Sequence, residues 1–262
     1  MTKLTNMLEE FYSKYDEDNR LSRSNTHKLE YITTTRYIDK YLTKNSRILE
    51  VGAGTGKYSL HYASLGYRVD SVELTNANLE ILKYKIKDNM NITAVSGNAL
   101  DLSMYDDNTF DVTLVLGPLY HLFSEKDKSK AISEAIRVTK KDGIILLAFI
   151  LFDHAVQRFA FVDGELKEVL GKQINTDYTP NNQEKYIFNF MYIKDIKKLI
   201  KEFDVEELTY VATDGITRII EEAIDNMDDE MFEHYIDYHL STCEREDLIG
   251  YSSHILSIIK KK

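Results

Sequence analysis

The stretch ILEVGAGTGKYSL, residues 48–60, places an acid, three glycines and a lysine where a ligand could be held. Glycine turns let backbone approach a ligand closely, and three kinds of ligand compete for this one. A phosphate-wrapping loop needs G-x-x-x-x-G-K-[ST]. Here Val51 stands in the first glycine's place, and Tyr58 follows Lys57 where Ser or Thr is required. A dinucleotide turn needs G-x-G-x-x-G, its third glycine allowing close helix–strand packing. Gly52 and Gly54 fit that pattern, and Lys57 occupies the third place. What remains is E-x-G-x-G-x-G, from Glu50 through Gly52 and Gly54 to Gly56, with Lys57 a bystander on the following helix.

The two acids narrow the ligand further. Glu50 would repel a pyrophosphate but attract an ammonium group. Glu73 follows Gly52 by 21 residues, and nucleotide-binding α/β folds place a ribose-binding acid about 20 residues on. An exposed strand-end glutamate is the plain alternative for Glu73 taken alone. A ligand with adenosine at one end and an amino acid at the other answers both acids. S-adenosylmethionine (SAM) is such a ligand.

These residues need strands and helices to hold them. RILEVG (47–52), YRVDSVEL (67–74), NITAVSG (91–97), FDVTLVLG (110–117) and DGIILLAFI (142–150) read as buried strands. Between them, KYSLHYASLG sets Leu60, Ala63 and Leu65 at near-helical spacing, with Gly66 as a stop. NANLEILKYKIKD (76–88) is an amphipathic helix beginning at an Asn cap. The segment 126–141 puts Ala131, Ile132, Ala135, Ile136 and Val138 on one helical face. Such alternation predicts a parallel sheet with helices on both faces. The rhythm breaks over the aromatic-rich 151–191. It resumes in IKDIKKLIKEF, VEELTYVAT and SSHILSIIKK, with an acidic helical excursion at 213–250. Excursions on such a scaffold are where specificity usually resides.

Bulk properties restrict the partners. The 262 residues are 43% hydrophobic and 29% charged, enough for one large domain with insertions. Cys243 is the only cysteine, which suits a reducing compartment, and nothing around it resembles a nucleophile's setting. The N-terminal residues lack a signal-peptide core, and the longest apolar run, IILLAFILF, is too short to span a bilayer. A cytoplasmic location is the expectation. The net charge is −10, and residues 221–247 hold eleven acids against Arg245 alone, most simply a solvated acidic helix pair. Such a surface disfavours a phosphate backbone, so small molecules or peptides are expected rather than nucleic acid.

Taken together, ILEVGAGTGKYS, the VELT strand end, GNALDL (97–102), FDVTLVLGPLYHL (110–122) and RVTKKDGIILLAF (137–149) resemble successive motifs of class I SAM-dependent methyltransferases. The likeness covers residues 46–150. The closing GYSSHILSIIKK is similar to the last strand of a bacterial subgroup with LGPLYHL at its fourth strand. The resemblance implies a Rossmann-like α/β fold with a seven-stranded, mostly parallel sheet of order 3-2-1-4-5-7-6 and an antiparallel last strand. The parts would be an N-terminal helical cap (1–45), a SAM-binding core (46–150), an aromatic lid insertion (151–191) and a sheet-completing segment (192–262). It further implies that Glu50 and the turn of Gly52, Ala53, Gly54 and Gly56 bind the methionine end, Glu73 the ribose, and that Tyr58 also belongs to the cofactor site. Leu74 would pack on adenine. Asn98, where the family usually has Asp, would meet the adenine amino group through its oxygen, beside the Ala99 N–H. Leu116 would turn its carbonyl toward the sulfonium or the amine.

Methyl transfer needs mainly in-line alignment, and a base only where the nucleophile must lose a proton. Pro118 fixes the chain after Gly117 and aims Tyr120 and His121, the candidate catalytic residues. Packing under the next helix is the alternative for His121. Tyr12, Tyr15, Arg20 and Arg23 could cover the cofactor, or belong to an exposed helix and loop. The aromatic residues of 151–191 could box a substrate or simply form the insertion's core. His27, His61, His234, His239 and His254 have no partner spacing, and His154, at the start of the aromatic insertion, could reach the pocket or be a loop residue. No metal-ligand pattern stands out. The activity that follows is SAM-dependent methyl transfer (EC 2.1.1.-) to nitrogen, oxygen or carbon of a small-molecule or peptide acceptor. An RNA- or ribosome-directed methyltransferase, a non-catalytic SAM-binding regulator and, more distantly, a NAD-dependent dehydrogenase remain open.

Overall fold

The computed structural model describes residues 3–262. Seven strands form one sheet: β1 (Arg47–Val51), β2 (Arg68–Glu73), β3 (Ile92–Ser96), β4 (Phe110–Val115), β5 (Thr139–Ile150), β6 (Val205–Ala212) and β7 (His254–Lys261). Their order is β3-β2-β1-β4-β5-β7-β6. Strands β1 to β5 pair in parallel, and β7 runs antiparallel to both β5 and β6. Ile48, Leu49, Val51, Val112, Leu114 and Val115 of the central pair are all buried, as expected where helices cover both faces. Strand order reverses between β1 and β4, and ligands of open α/β sheets bind outside the strand ends at such a reversal. The glycine turn after β1 and the Gly117–Pro118 turn after β4 flank this crevice. Among the described residues, no helix is long and apolar enough to cross a membrane.

The crossover helices are α3 (Lys57–Ser64), α4 (Asn76–Lys85), α5 (Glu125–Val138) and α8 (Ile193–Ile200). In α5 the Ser124 hydroxyl accepts from Asp127 N, and Glu125 and Asp127 complement the helix dipole. Three details depart from the sequence reading. Leu65 is 60% exposed, and α3 instead buries Tyr58, Ser59, Tyr62 and Ala63. Tyr58 and Tyr62, four residues apart, are the larger apolar surfaces on one face, so they decide which face turns inward. Helix α5 stops at Val138, because Thr139 turns its hydroxyl back to Ala135 O and enters β5 opposite Phe110. Asn76 does not cap α4; it is the helix's first residue, preceded by Thr75.

The first N–H groups of α4 are satisfied from elsewhere. Two helices precede the sheet, α1 (Lys3–Tyr12) and α2 (Asn25–Asp39). The Glu9 carboxylate of α1 accepts from Asn76 N at 2.7 Å and Ala77 N at 3.0 Å. This binds α1 to the mouth of the crevice. After β5, a short helix α6 (Phe152–Ala155) runs on as a π-helical segment (Val156–Val162), followed by α7 (Leu166–Val169). These wrap a satellite core of Phe152, Ala160, Val169 and Ile174. The acidic excursion forms α9 (Glu221–Asp225) and α10 (Asp229–Thr242). Its underside is apolar: Ile224, Phe232 and Ile236 bury against Leu29 of α2, each contributing roughly 1.5–3 kcal/mol.

Candidate active site

The three glycines of the turn all have positive φ, at 72°, 55° and 84°, a region that penalises side chains. Their missing Cβ atoms serve different neighbours. A Cβ on Gly52 would meet Pro118 Cδ at 2.6 Å, and one on Gly56 would meet Leu82 Cδ1 at 2.2 Å. On Gly54 the nearest atom would be Glu17 Cγ at 3.6 Å. Gly52 and Gly56 thus make room for protein, and Gly56 does not reach the cavity, contrary to its sequence assignment. Of the three, Gly54 has the most open space, while Gly52 still lines the cavity. Gly117 itself has an ordinary negative φ of −133°, so the special backbone lies in the glycine turn opposite it.

A cavity of about 530 Å³ opens at this point, lined by Glu50, Gly52, Ala53, Gly54, Tyr58, Glu73, Leu74, Asn98, Ala99, Leu116, Tyr120 and His121 among others. Lys57 reaches its wall as well. Glu50 is 2% exposed. Its Oε2 accepts from Ser59 N at 2.9 Å and from the Ser59 hydroxyl, and Ser71 donates to that hydroxyl. Oε1 has no hydrogen-bond partner among the described residues. Burial pushes the Glu50 carboxyl up to about 8, against the lowering pull of the Ser59 hydrogen bonds. A buried carboxylate with one oxygen held and the other bare fits a cationic ligand.

Glu73 is braced differently. Its Oε1 accepts from Thr75 N at 2.8 Å and the Thr75 hydroxyl at 2.7 Å, and its Oε2 from Gly54 N at 2.8 Å. Burial raises its pKa and these donors oppose the rise. A carboxylate offers about four lone-pair sites, so one remains for a ligand hydroxyl. Asn98 turns its Oδ1 onto Leu100 N at 3.0 Å, which leaves the amide nitrogen, a donor, as its uncommitted group. The Leu116 carbonyl accepts from the Tyr120 hydroxyl at 3.1 Å. Tyr58 stacks on Tyr31, with ring centroids 5.4 Å apart.

Leu4, Leu8 and Tyr12 of α1 roof the cavity. Tyr12 bonds His121 Nε2 at 2.9 Å, and His121 Nδ1 donates to Ile187 O at 2.8 Å. Burial lowers His121 to about 4. With both nitrogens committed, His121 ties three segments together and has no lone pair for an acceptor's proton. Burial also raises the Tyr120 and Tyr12 phenols, so both stay protonated. The two residues expected to do chemistry are therefore closed.

A second cavity of about 350 Å³ adjoins the first. Phe11, Tyr15, Phe159, Phe188 and Phe190 line it, with Arg23, His154, Arg158 and Arg218. Of the insertion's other aromatics, Phe152 packs in the satellite core, while Phe161 and Tyr178 are exposed. Tyr15 and Arg23 thus lie on the second cavity, and Tyr12 and Arg20 on both.

An ion-pair network under this junction is absent from any sequence spacing. Arg20 donates to both oxygens of Glu30 at 2.9 Å and to Glu17 at 2.9 Å and 3.2 Å. Asp214, fully buried, accepts His254 Nδ1–H at 2.9 Å. Burial alone would raise Asp214; the His254 hydrogen bond and the Arg218 guanidinium hold it well below the carboxylate range. Glu30, Asp214 and His254 each bring one ligand-type atom within 4.8 Å of the others. Arg20 occupies the Glu30 carboxylate, so ion pairing accounts for these donors. Arg23 and Arg218 both converge on His27 Nε2, at 2.9 Å and 2.6 Å. Burial and these cations depress His27 to about 3.

Comparison with known proteins agrees with this geometry. Residues 49–147 match the family described as a methyltransferase domain. The chain is 30% identical over 142 residues to the demethylmenaquinone methyltransferase of Clavibacter sepedonicus, covering 54% of this chain and 55% of that protein. It is 25% identical over 116 residues to YqeM of Bacillus subtilis (strain 168), named as a methyltransferase, covering 44% and 47%. The chain thus spans about half the length of these curated relatives. The solved structure of a SAM-dependent methyltransferase from Thermotoga maritima superimposes with a TM-score of 0.59 at 17% identity, covering 99% of this chain and 98% of that one. Residues 49–147 are thus similar to the methyltransferase-domain family, and the seven-stranded sheet has the fold of the solved SAM-dependent methyltransferase, which supports S-adenosylmethionine as the cofactor.

Proposed function

We propose that this protein transfers the methyl group of SAM, by direct displacement, to a small-molecule or peptide acceptor held in the second cavity. The carrying observation is that two cavities of about 530 and 350 Å³ share one wall. Volumes of this order suit small ligands, and the wall is where a methyl group would cross. SAM supplies the activated methyl; the chain's residues bind, align and exclude water.

In this reading the open Oε1 of Glu50 takes the cofactor's ammonium group beside the Gly52–Ala53–Gly54 backbone, and Tyr58 closes that end. Glu73 takes a ribose hydroxyl. Leu74, Asn98 and Ala99 enclose the adenine, with Asn98 using its amide nitrogen. Leu116 shapes the methyl end through Tyr120. Helix α1 is the cover, fastened through Glu9 and through the Tyr12–His121 hydrogen bond. Residues 151–191 form the acceptor's lid. We place the chain in the bacterial subgroup with LGPLYHL at the fourth strand.

The net charge of −10 and the small second cavity argue against an RNA acceptor. Calorimetry with SAM, its demethylated product and NAD tests the cofactor, and a metabolite extract supplied with labelled SAM tests transfer. Binding of NAD without SAM would sink this function. Transfer to ribosomal RNA alone would move it to the RNA-directed alternative, and SAM binding without any transfer would indicate a regulator.

A further inference from the structure

Tyr12, Glu17, Arg20, Tyr120 and His254 line both cavities, so a proton leaving the acceptor near the methyl group must find its base among them. Arg20 is a permanent cation. Both Glu17 oxygens receive the Arg20 Nε–H, at 2.9 Å and 3.2 Å. The Tyr12 hydroxyl is engaged with His121, and the Tyr120 hydroxyl with Leu116 O. His254 differs. Its Nδ1 lies 2.9 Å from Asp214 Oδ2, and its Nε2 has no hydrogen-bond partner among the described residues.

Asp214 is immobilised in turn. Its Oδ1 accepts from the Ser252 hydroxyl at 2.6 Å, Ser253 N at 2.9 Å and His254 N at 3.0 Å. A carboxylate fixed in this way accepts a hydrogen bond from Nδ1–H, which keeps the proton on Nδ1 and leaves the lone pair on Nε2. The groups facing the ring come from several elements. They are Asp214 after β6, Glu30 of α2 at 3.6 Å from Nδ1, Arg20, Arg218, His154 of α6 and the Tyr120 ring 6.3 Å away.

We propose that His254, held by Asp214, is the base that removes the proton from a hydroxyl on a planar acceptor ring in the second cavity. This rests on the methyl-transfer reading above. A neutral amine already carries a free lone pair, whereas a hydroxyl becomes a strong nucleophile only as its proton leaves. A base at the shared wall therefore points to oxygen. Phe159, Phe188 and Phe190 suit a flat ring. Arg23 makes no ion pair among the described residues, so an anionic substituent on that ring would find a donor there. In the step, the hydroxyl proton passes to Nε2 as the oxygen–carbon bond forms. The carbon–sulfur bonding pair stays on sulfur, and the imidazolium then releases its proton to water.

The probe is 3,4-dihydroxybenzoate, with 3,4-diaminobenzoate as the amine control, assayed with labelled SAM on the wild type, His254→Gln and Asp214→Asn. The expectation is that H254Q keeps its SAM affinity by calorimetry but loses at least about 100-fold in kcat toward the phenol. D214N should lose activity through a changed ring tautomer. Nitrogen NMR of histidine-labelled wild type should show Nδ1 protonated and Nε2 bare, with the Nε2 resonance moved by the probe in the product complex. D214N should lose that tautomer preference. A fully active H254Q, a neutral His254 protonated on Nε2, or methylation of the diamine and not the diol would overturn the proposal. So would an Nε2 signal indifferent to the probe when neither compound is methylated. A wild type that does not bind SAM would overturn the methyl-transfer reading itself, separately from the role of His254.

Discussion

The two cavities share a wall, yet they are assembled by opposite routes. The cofactor cavity takes its floor from short runs at one edge of the sheet: Glu50 to Tyr58, Glu73 to Thr75, Gly97 to Leu100 and Leu116 to Phe123. The second cavity gathers single residues from the N-terminal segment, the aromatic insertion, the segment after β6 and the start of β7. One is backbone geometry repeated at strand ends. The other depends on charged side chains meeting across some 200 residues, such as Arg23 and Arg218, which converge on His27. Loss of a side-chain charge at the first should stay local to cofactor binding, whereas loss of one at the second should spread through the fold.

The largest expected effect tests that spread. Glu30→Ala leaves Arg20 buried with Glu17 as its only remaining carboxylate, and breaking one side of a buried pair costs roughly 3–5 kcal/mol. For a chain of this size that is a fall in Tm of about 10 °C, read by calorimetry. A fall of a degree or two would mean the network is not what joins the acceptor side together. Gly52→Ala comes next, because it combines a φ of 72° with a Cβ 2.6 Å from Pro118 Cδ. Strain and overpacking together cost roughly 2–5 kcal/mol. Gly66→Ala, at φ 91° with nothing within 4 Å, isolates the strain alone at about 1–2 kcal/mol. Equal losses in chemical denaturation would remove Pro118 from the explanation.

Glu50→Gln sharpens the cofactor side. Losing a charge-assisted contact of about 1.5–3 kcal/mol weakens SAM binding roughly 10- to 100-fold by calorimetry. The wild type should bind SAM more tightly as pH rises through about 8, where Glu50 ionises, and the variant should lose that slope. The sign for stability is opposite. A carboxyl raised from 4.5 to about 8 in the folded state stabilises the free protein at low pH, and that stability is lost as pH rises through this window. Two buried imidazoles act the other way. His121, lowered from 6.5 to about 4, and His27, lowered to about 3, contribute stability above pH 6.5 that is lost as pH falls. Glu50→Gln should flatten only the alkaline limb of a Tm–pH curve. The smallest effect is Glu9→Gln, which weakens the tether of α1 to α4 by about 1 kcal/mol. Hydrogen exchange should then speed up in α1 while the sheet stays unchanged.

The strands and the acids at their ends were legible in the chain because each depends on neighbours in sequence, whereas the sheet order followed only from the resemblance to class I SAM-dependent methyltransferases. Apolar runs fixed the strands, and the spacing of Glu50, Gly52 and Glu73 placed three groups at adjacent strand ends. Even there, the letters did not say which glycines make room for protein atoms, since Pro118 and Leu82 fill the space beside Gly52 and Gly56 only after folding. Leu65 was misplaced because tyrosines at 58 and 62 competed for the same inner face. Tertiary structure alone decided which histidine has an unpartnered ring nitrogen at the shared wall. His121 sat in a motif and proved closed at both nitrogens, whereas His254 had no pattern around it and acquired Asp214 from 40 residues away. A turn or a helical face is set by local dihedrals and periodicity. A partnered imidazole beside an open cavity exists only once distant segments have been packed together.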